Sequence, residues 1–250
     1  MNKNYALFID SGIGGLSTLA LSIKKLPANY IYYADTKYAP YGNLASVFIR
    51  QRLKKIITHL SVKYDIKCVV LACNTASTTA LHYLKKELPF TSVFGVKPTL
   101  KNISTKFKFP AIVATPKTIS NLKKISNKNI VLLPMKSFAT EIETFLIRQT
   151  FKNKFNLIKS IFTIKKETEK CDCLILGCTH YCLIANYIKN FIFLPIFDGN
   201  LKCVKQFIST TKTKSTKPSI KFIISSEDEK LKQKYIKILK QILANKNKLC

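Results

Sequence analysis

Short apolar runs rich in β-branched and aromatic residues alternate along the chain with longer segments whose apolar residues recur at helical spacing. This alternation is typical of a parallel α/β sheet. In the first half of the chain it predicts strands at Ala6–Asp10, Tyr30–Ala34, Cys68–Cys73 and Val93–Val96. Helices are predicted between these strands at about 15–26, 45–64 and 76–87.

A second series with the same rhythm follows. It predicts strands at Ala111–Thr115, Ile130–Leu133, Cys173–Leu176 and Ile192–Phe197. Helices are predicted near 118–126, 137–149 and 181–190. The polar stretch 209–219 contains a proline and is interpreted as a linker. A last strand at Ile220–Ser225 and a Lys-rich amphipathic helix at about 227–245 complete the prediction.

The repeated rhythm predicts an α/β protein of two doubly wound parallel-sheet lobes, with the active site in the cleft between them. The boundary is placed near Lys97-Pro98, because proline rarely continues an element. The first lobe is predicted to span 1–96 plus about 199–212, and the second 97–198 plus about 218–250. Ligands of such sheets bind beyond the carboxyl ends of the strands, so the residues there are the candidates for chemistry.

The charge of the chain is strongly positive, with 42 Lys and Arg against 13 Asp and Glu and a net charge of +29. Such a field attracts polyanions, and a nucleic-acid-binding role remains an alternative on this ground. However, most lysines occur singly or in pairs between apolar residues, as on solvated helix faces. Nucleic acid is therefore not the predicted partner.

The chain begins with polar residues that run directly into the first predicted strand, without the pattern of a signal peptide. No apolar run approaches the roughly 20 residues needed to cross a bilayer. We therefore expect a cytoplasmic protein without a membrane partner, and reduced thiols at its eight cysteines. Cys171-x-Cys173 and Cys178-x3-Cys182 lack the paired spacing of common zinc sites, so no metal is predicted.

A glycine-rich turn after the first strand invites a nucleotide-binding interpretation. Gly12, Gly14 and Ser17 approximate Gly-x-Gly-x-x-Gly, and Asp35 ends the second strand where a ribose-binding acid would lie. Two features argue against it. Serine replaces the third glycine, and Asp10 places a carboxylate where a pyrophosphate would approach.

Two cysteines occupy matching positions in the two half-chains. Cys73 follows the third strand of the first series, and Cys178 follows the corresponding strand of the second. A single cysteine at a strand end is usually a small buried hydrophobic residue, and the residues alone leave that alternative open. The pair also fits racemisation, which needs a base and an acid on opposite faces of a carbon. A thiol titrates near about 8.5, and a helix N-terminus behind it can bind a carboxylate.

Several of these strand ends together resemble the glutamate racemases of the aspartate/glutamate racemase superfamily. The matching segments are DSGIGGLS at 10–17, YYADTKYAPYG at 32–42, ACNTAS at 72–77 and GCTHY at 177–181. Weaker similarity continues through PMKSFATEIE at 134–143 and KFIISSEDE at 221–229. The resemblance covers nearly the whole chain.

The resemblance implies cofactor-independent and metal-free proton transfer between L- and D-glutamate, which supplies D-glutamate for peptidoglycan. It implies that Cys73 and Cys178 are the two acid/bases, with Asp10 and His180 as auxiliary proton partners and Glu141 as a second-lobe glutamate of the site. Contacts with the substrate are expected from Asp10, Ser11, Tyr41, Gly42, Asn74, Thr75, Thr115, Thr118, Thr179 and His180.

In the segment GCTHY the histidine is His180, and within the superfamily a histidine at this place favours glutamate as the substrate. An aspartate racemase, a racemase for another amino acid and a degenerate homologue with a binding role remain the alternatives. A homodimer is compatible with the sequence.

Overall fold

A computed structural model describes residues 4–99, 103, 106–123, 129–211 and 213–244 of the chain. Within these ranges the strands are β1 (Tyr5–Asp10), β2 (Asn29–Ala34), β3 (Ile66–Leu71), β4 (Ser92–Gly95), β5 (Pro110–Ala114), β6 (Val131–Pro134), β7 (Cys173–Leu176), β8 (Ile196–Asp198) and β9 (Ser219–Ile224). The helices are α1 (Leu16–Lys25), α2 (Ser46–Lys63), α3 (Asn74–Glu87), α4 (Pro116–Leu122), α5 (Phe138–Arg148), α6 (Phe151–Glu167), α7 (Thr179–Leu183), α8 (Ala185–Lys189), α9 (Asn200–Thr210) and α10 (Glu229–Ala244). None of these helices is both long and apolar enough to cross a membrane.

The first lobe is built on a five-stranded parallel sheet in the order β4-β3-β1-β2-β9. Alternate residues of β1 face opposite sides of the sheet, as the pleat requires. Phe8 packs with Phe207 of α9 and Tyr235 of α10 on one side, and Ile9 packs with Leu53 of α2 on the other. Because both faces are covered by helices, β1 consists of an almost continuous apolar run.

The second lobe is built on a four-stranded parallel sheet in the order β6-β5-β7-β8. Helices α5 to α8 cover one face, where Ile142, Leu157 and Tyr181 are buried. On the other face α4 contributes Ile119 and Leu122. The prediction of an α/β fold with two doubly wound parallel-sheet lobes is confirmed.

The two sheets share one topology. Read as β8-β7-β5-β6, the second sheet repeats the order β4-β3-β1-β2 of the first. In each sheet the second strand of the lobe lies on one side of the first, and the third strand lies on the other side, so the strand order reverses between the first and third strands. Ligands of doubly wound sheets bind at this reversal. Cys73 follows β3 and Cys178 follows β7, so the two thiols occupy equivalent positions at the two reversals.

The C-terminal segment lies in the first lobe, and its assignment to the second lobe at about 218–250 is wrong for residues 218–244. Strand β9 pairs in parallel with β2 over six residues, and α10 packs against α1. Tyr235, Ile238 and Leu239 are buried in the first-lobe core. The apolar pattern predicted both elements but not their partners, because strand pairing depends on which sheet edge is free. Residues 245–250 lie outside the described part of the chain.

Smaller differences have local causes. Helix α6 was not predicted, because the exposed Phe151, Phe155 and Phe162 obscure the helical spacing of its buried residues. Helix α9, at 200–210, was not predicted as a helix either. Strand β8 begins at Ile196 rather than 192, since Ile192 is buried against the second-lobe core from a loop. Residues 124–126 of the predicted helix 118–126 lie outside the described residues.

The position of α10 predicts that its buried face stabilises the first lobe. Leu239→Ala should lower the free energy of unfolding by about 2–5 kcal/mol, because it leaves a cavity in the core. The neighbouring Lys240 is exposed, and Lys240→Ala should change the free energy by no more than about 0.5 kcal/mol. Urea denaturation followed by circular dichroism measures both. Equal effects of the two substitutions would contradict the packing of α10 into this core.

Candidate active site

A cavity of about 370 Å³ lies in the cleft between the two lobes. The carboxyl ends of the strands of both sheets face it, which places the residues that follow those strands in its wall. The first lobe contributes Ser11, Ala39, Pro40, Tyr41, Gly42, Cys73, Thr75, Asp228 and Leu231. The second lobe contributes Thr115, Ala139, Thr140, Glu143, Thr144, Ile147, Arg148, Cys178 and His180.

The glycine-rich turn after β1 carries the contact between the lobes. A Cβ atom on Gly14 would lie 2.4 Å from Nδ1 of His180 and 2.7 Å from Oγ1 of Thr179, so only glycine allows this approach. Asp10, fully buried, accepts hydrogen bonds from the backbone N–H of Gly12 at 2.7 Å and from Thr179 Oγ1 at 3.2 Å. The glycines of the turn therefore accommodate side chains of the other lobe.

Cys73 lies at the N-terminus of α3 and is 7% exposed. Burial raises the pKa of its thiol well above the ordinary value, and the carboxylate of Asp10 raises it further. Backbone N–H groups of Ala76 and Thr75 point at the sulfur and favour the thiolate, but they do not offset burial. The balance favours the protonated thiol at Cys73.

Cys178 lies in a different electrostatic environment. Its sulfur is 3.9 Å from Nδ1 of His180, and Nε2 of His180 is 2.8 Å from Oε2 of Glu143. Burial alone would lower the pKa of His180, but its contacts with Cys178 and Glu143 outweigh burial and raise it well above the ordinary value. Burial would raise the pKa of Glu143, yet hydrogen bonds from His180 and Tyr235 lower it. The imidazole of His180 therefore lies between the Glu143 carboxylate and the Cys178 sulfur, with one ring nitrogen directed at each.

Three threonine hydroxyls form a triangle where α3 meets α4. Thr75 Oγ1 lies 3.0 Å from Thr115 Oγ1 and 3.2 Å from Thr118 Oγ1, and Thr115 Oγ1 donates to Thr118 Oγ1 at 3.0 Å. Thr115 also caps α4 by accepting from the backbone N–H of Thr118 at 3.3 Å. The triangle joins the two lobes beside Cys73.

Comparisons with known proteins identify the chain. No family model matches it. Glutamate racemase of Buchnera aphidicola subsp. Acyrthosiphon pisum (strain APS) is 35% identical over 263 aligned residues, which cover 94% of this chain and 95% of that protein. Glutamate racemase of Clostridium acetobutylicum is 32% identical and covers 89% and 92%. The chain belongs to the glutamate racemase family. It is an amino-acid racemase.

Solved glutamate racemases share its fold. The Escherichia coli glutamate racemase, in complex with L-glutamate and the activator UDP-MurNAc-ala, superposes with a TM-score of 0.78 at 22% identity, over 96% of this chain and 95% of that one. Glutamate racemase of Campylobacter jejuni superposes with a TM-score of 0.74 at 25% identity, over 97% and 100%. The two-lobed architecture of this racemase is thus that of its family.

Most of the residues predicted for the racemase site come together. Eight of them line the cavity: Ser11, Tyr41, Gly42, Cys73, Thr75, Thr115, Cys178 and His180. Asp10, Asn74, Thr118 and Thr179 are buried next to these residues. Neither the amide oxygen nor the amide nitrogen of Asn74 has a hydrogen-bond partner within the described part of the chain. Their roles in the reaction stay predictions.

Glu141 is the exception, and the structure corrects its placement. Its carboxylate accepts hydrogen bonds from Ser137 and Ser160, both at 2.6 Å, on the side of α5 that faces α6. Glu143, two residues later, lines the cavity and binds His180. Two residues correspond to about 200° around a helix, so the two carboxylates point to opposite sides. The residue type and the helix were predicted, but the helical phase was not.

Other residues of the site were not predicted from the sequence. Ala139, Glu143 and Ile147 recur every four residues of α5 and form its cavity-facing stripe, a spacing that could have identified Glu143. The hydroxyl of Tyr41 donates to Asp35 at 2.7 Å, and Arg52 binds both oxygens of Asp35 at 2.6 and 2.9 Å. Asp35 therefore anchors the wall of the cavity within the first lobe.

No cluster of three or more His, Cys, Asp or Glu side chains with the arrangement of a metal site occurs among the described residues. The prediction that the racemase needs neither metal nor cofactor stays a prediction.

The two glutamates of α5 provide a matched test of the Glu143–His180 pair. Glu143→Gln should lower the pKa of His180, because the imidazolium loses the carboxylate that stabilises it. Glu141→Gln, on the opposite side of the same helix, should leave that pKa unchanged. The chain has three histidines, so NMR titration of labelled imidazoles can follow each of them. A larger effect of the Glu141 substitution would contradict the assignment.

Proposed function

We propose that this racemase interconverts L- and D-glutamate with two bases, Cys73 and Cys178, which act on opposite faces of the α-carbon. The observation that carries the proposal is the placement of the two thiols at equivalent strand ends of facing lobes, in the wall of one cavity. A racemase must remove a proton from one face of Cα and deliver a proton to the other. Two lobes that each offer one thiol meet this requirement.

The different surroundings of the thiols support different roles at the start of a turnover. Cys178 lies beside His180 and acts first as the base, whereas Cys73, whose thiol pKa is raised by burial and by Asp10, acts first as the acid. Cys178 takes the α-proton from one face, and Cys73 delivers its own proton to the other. The sulfur of Cys178 then carries a proton and that of Cys73 a negative charge. Proton exchange with solvent, assisted by Asp10 and His180, restores the starting state.

The α3 N-terminus supports binding of a carboxylate and stabilisation of the carbanion. Removal of the α-proton places negative charge on the α-carboxylate, and preorganised donors stabilise such charge most effectively. Helix α3 spans 14 residues, and its first backbone N–H groups lie beside Cys73. The buried Asn74 amide, which has no partner among the described residues, and the hydroxyls of Ser11 and Thr75 complete a set of donors for this carboxylate.

The choice of glutamate rests on the family and on the cavity. The E. coli relative is in complex with L-glutamate and the Francisella tularensis relative with D-glutamate. In this chain the wall of the cavity combines hydroxyl-bearing residues with Arg148, a composition that suits a substrate with two carboxylates. The proposed product, D-glutamate, would serve peptidoglycan synthesis in the cytoplasm. That nucleic acid is not a partner, and that the protein can form a homodimer, stay predictions.

Substitution of each thiol tests the proposal. Cys73→Ser and Cys178→Ser should each reduce glutamate racemisation by at least about 10²-fold, because serine is nearly the same size but far less acidic. Wild-type protein should racemise glutamate faster than aspartate without added pyridoxal phosphate, nucleotide or metal. Circular dichroism of the amino acid measures both rates.

A partial reaction distinguishes the two faces. With 3-chloroglutamate, removal of the α-proton expels chloride, and the resulting enamine hydrolyses to 2-oxoglutarate and ammonia. Each single variant keeps one working thiol, so each should eliminate chloride from only one Cα enantiomer, and the two variants should use opposite enantiomers. Use of the same enantiomer by both, or racemisation near the wild-type rate by either, would overturn the two-base proposal. Faster turnover of aspartate would reassign the substrate.

A further inference from the structure

One face of α10 reaches the cavity from the first lobe. Asp228, just before the helix, and Leu231 line the cavity wall, and Asp228 caps the helix by accepting from the backbone N–H of Leu231 at 3.0 Å. Tyr235 follows four residues after Leu231 and lies on the same side of the helix. Its side chain is fully buried in the core of the first lobe.

The hydroxyl of Tyr235 crosses the boundary between the lobes. It donates to Oε1 of Glu143 at 2.5 Å, while the other carboxylate oxygen of Glu143 binds His180 at 2.8 Å. Glu143 belongs to α5 of the second lobe, yet a second donor, the backbone N–H of Ile13, also comes from the first lobe. The carboxylate is therefore held between the two lobes, with one oxygen directed to each.

Hydrogen bonds lead from Tyr235 towards one of the two thiols. From Tyr235 they lead through Glu143 and His180 to the sulfur of Cys178. Cys73 instead lies beside Asp10 and the backbone N–H groups of α3, and no hydrogen bond of Tyr235 leads to it within the described residues. A change at Tyr235 therefore reaches one thiol far more strongly than the other.

We propose that Tyr235 is a positioning residue for the Cys178 half of the reaction: its hydroxyl holds Glu143 against His180 and thereby keeps the His180 ring directed at the Cys178 sulfur. The proposal rests on the two-thiol function proposed above. It assigns a role to α10, which would otherwise be a structural element of the first lobe. Since the hydrogen bond joins the two lobes, it also makes the orientation of His180 towards Cys178 depend on their contact.

The test must separate the two thiols, and racemisation rates cannot do so. L- and D-glutamate have equal free energies, so kcat/KM must be the same in both directions for every variant. Elimination from 3-chloroglutamate is free of this constraint, because each Cα enantiomer is deprotonated by one thiol and the reaction does not return. The enantiomer that Cys73→Ser still processes reports on Cys178.

Tyr235→Phe removes only the hydroxyl. It should slow elimination from the enantiomer that reports on Cys178 by about tenfold, the scale of one lost hydrogen bond to a charged group. Elimination from the other enantiomer should change by less than about twofold. The ratio of the two rates is measured on one sample, so partial unfolding cannot alter it.

Two further variants control the result. Tyr30 is buried in the same core and donates its hydroxyl to the carbonyl of Leu26 at 2.6 Å, away from the cavity. Tyr30→Phe should leave the ratio of the two elimination rates unchanged. Glu143→Gln should shift the ratio in the same direction as Tyr235→Phe, and adding Tyr235→Phe to it should shift the ratio little further, because both act through one carboxylate.

An equal loss of both rates in Tyr235→Phe, or no loss, would overturn the positioning role. Full additivity of the Tyr235 and Glu143 substitutions would also overturn it, since Tyr235 would then act by another route. Failure of the two-thiol function itself is distinguishable. In that case Cys73→Ser and Cys178→Ser would not separate the enantiomers at all, whatever Tyr235→Phe does.

Discussion

The close approach of the glycine turn to the second lobe is the contact on which the site depends. The backbone at Gly14 lies so near His180 and Thr179 that a single added carbon would overlap both. This approach brings the reversals of two sheets with the same topology together, and with them the two strand ends that carry Cys73 and Cys178. It also closes the cavity around groups that are almost completely buried, so that their charges interact in a medium less polar than water.

The two thiols have different neighbours. Cys73 is buried beside the carboxylate of Asp10, and both raise the pKa of its thiol, whereas Cys178 faces His180, whose other ring nitrogen binds a carboxylate. A pair of equivalent positions in two similar lobes thus acquires unequal surroundings from the residues behind the two cysteines. This inequality suits an enzyme that needs one base and one acid at the start of each turnover.

The sequence predicts those site residues whose positions depend only on the strand that directly precedes them. Cys73, Cys178 and the turn at 11–15 follow strands directly, so the end of a strand places them without knowledge of the rest of the fold. Whether Glu141 or Glu143 faces the cavity depends on the rotational phase of α5, because two positions along a helix point to opposite sides. The lobe of the C-terminal segment and the contact of Tyr235 depend on pairing between distant parts of the chain. The apolar pattern of β9 and α10 would be the same on either sheet, so it does not indicate which lobe they join or which residues they contact.

The central claim is that two monoprotic thiols act on opposite faces of one carbon, and isotope incorporation during the first turnovers tests it most directly. L-Glutamate converted in D2O should yield D-glutamate that carries deuterium at Cα from its first appearance, because the delivered atom comes from the solvent-exchanged Cys73 thiol. The unreacted L-glutamate recovered at the same time should remain unlabelled, since the proton taken by Cys178 is not returned to the same face. Product that retains its original α-proton, or deuterium that enters the L-glutamate pool as fast as D-glutamate forms, would contradict the account.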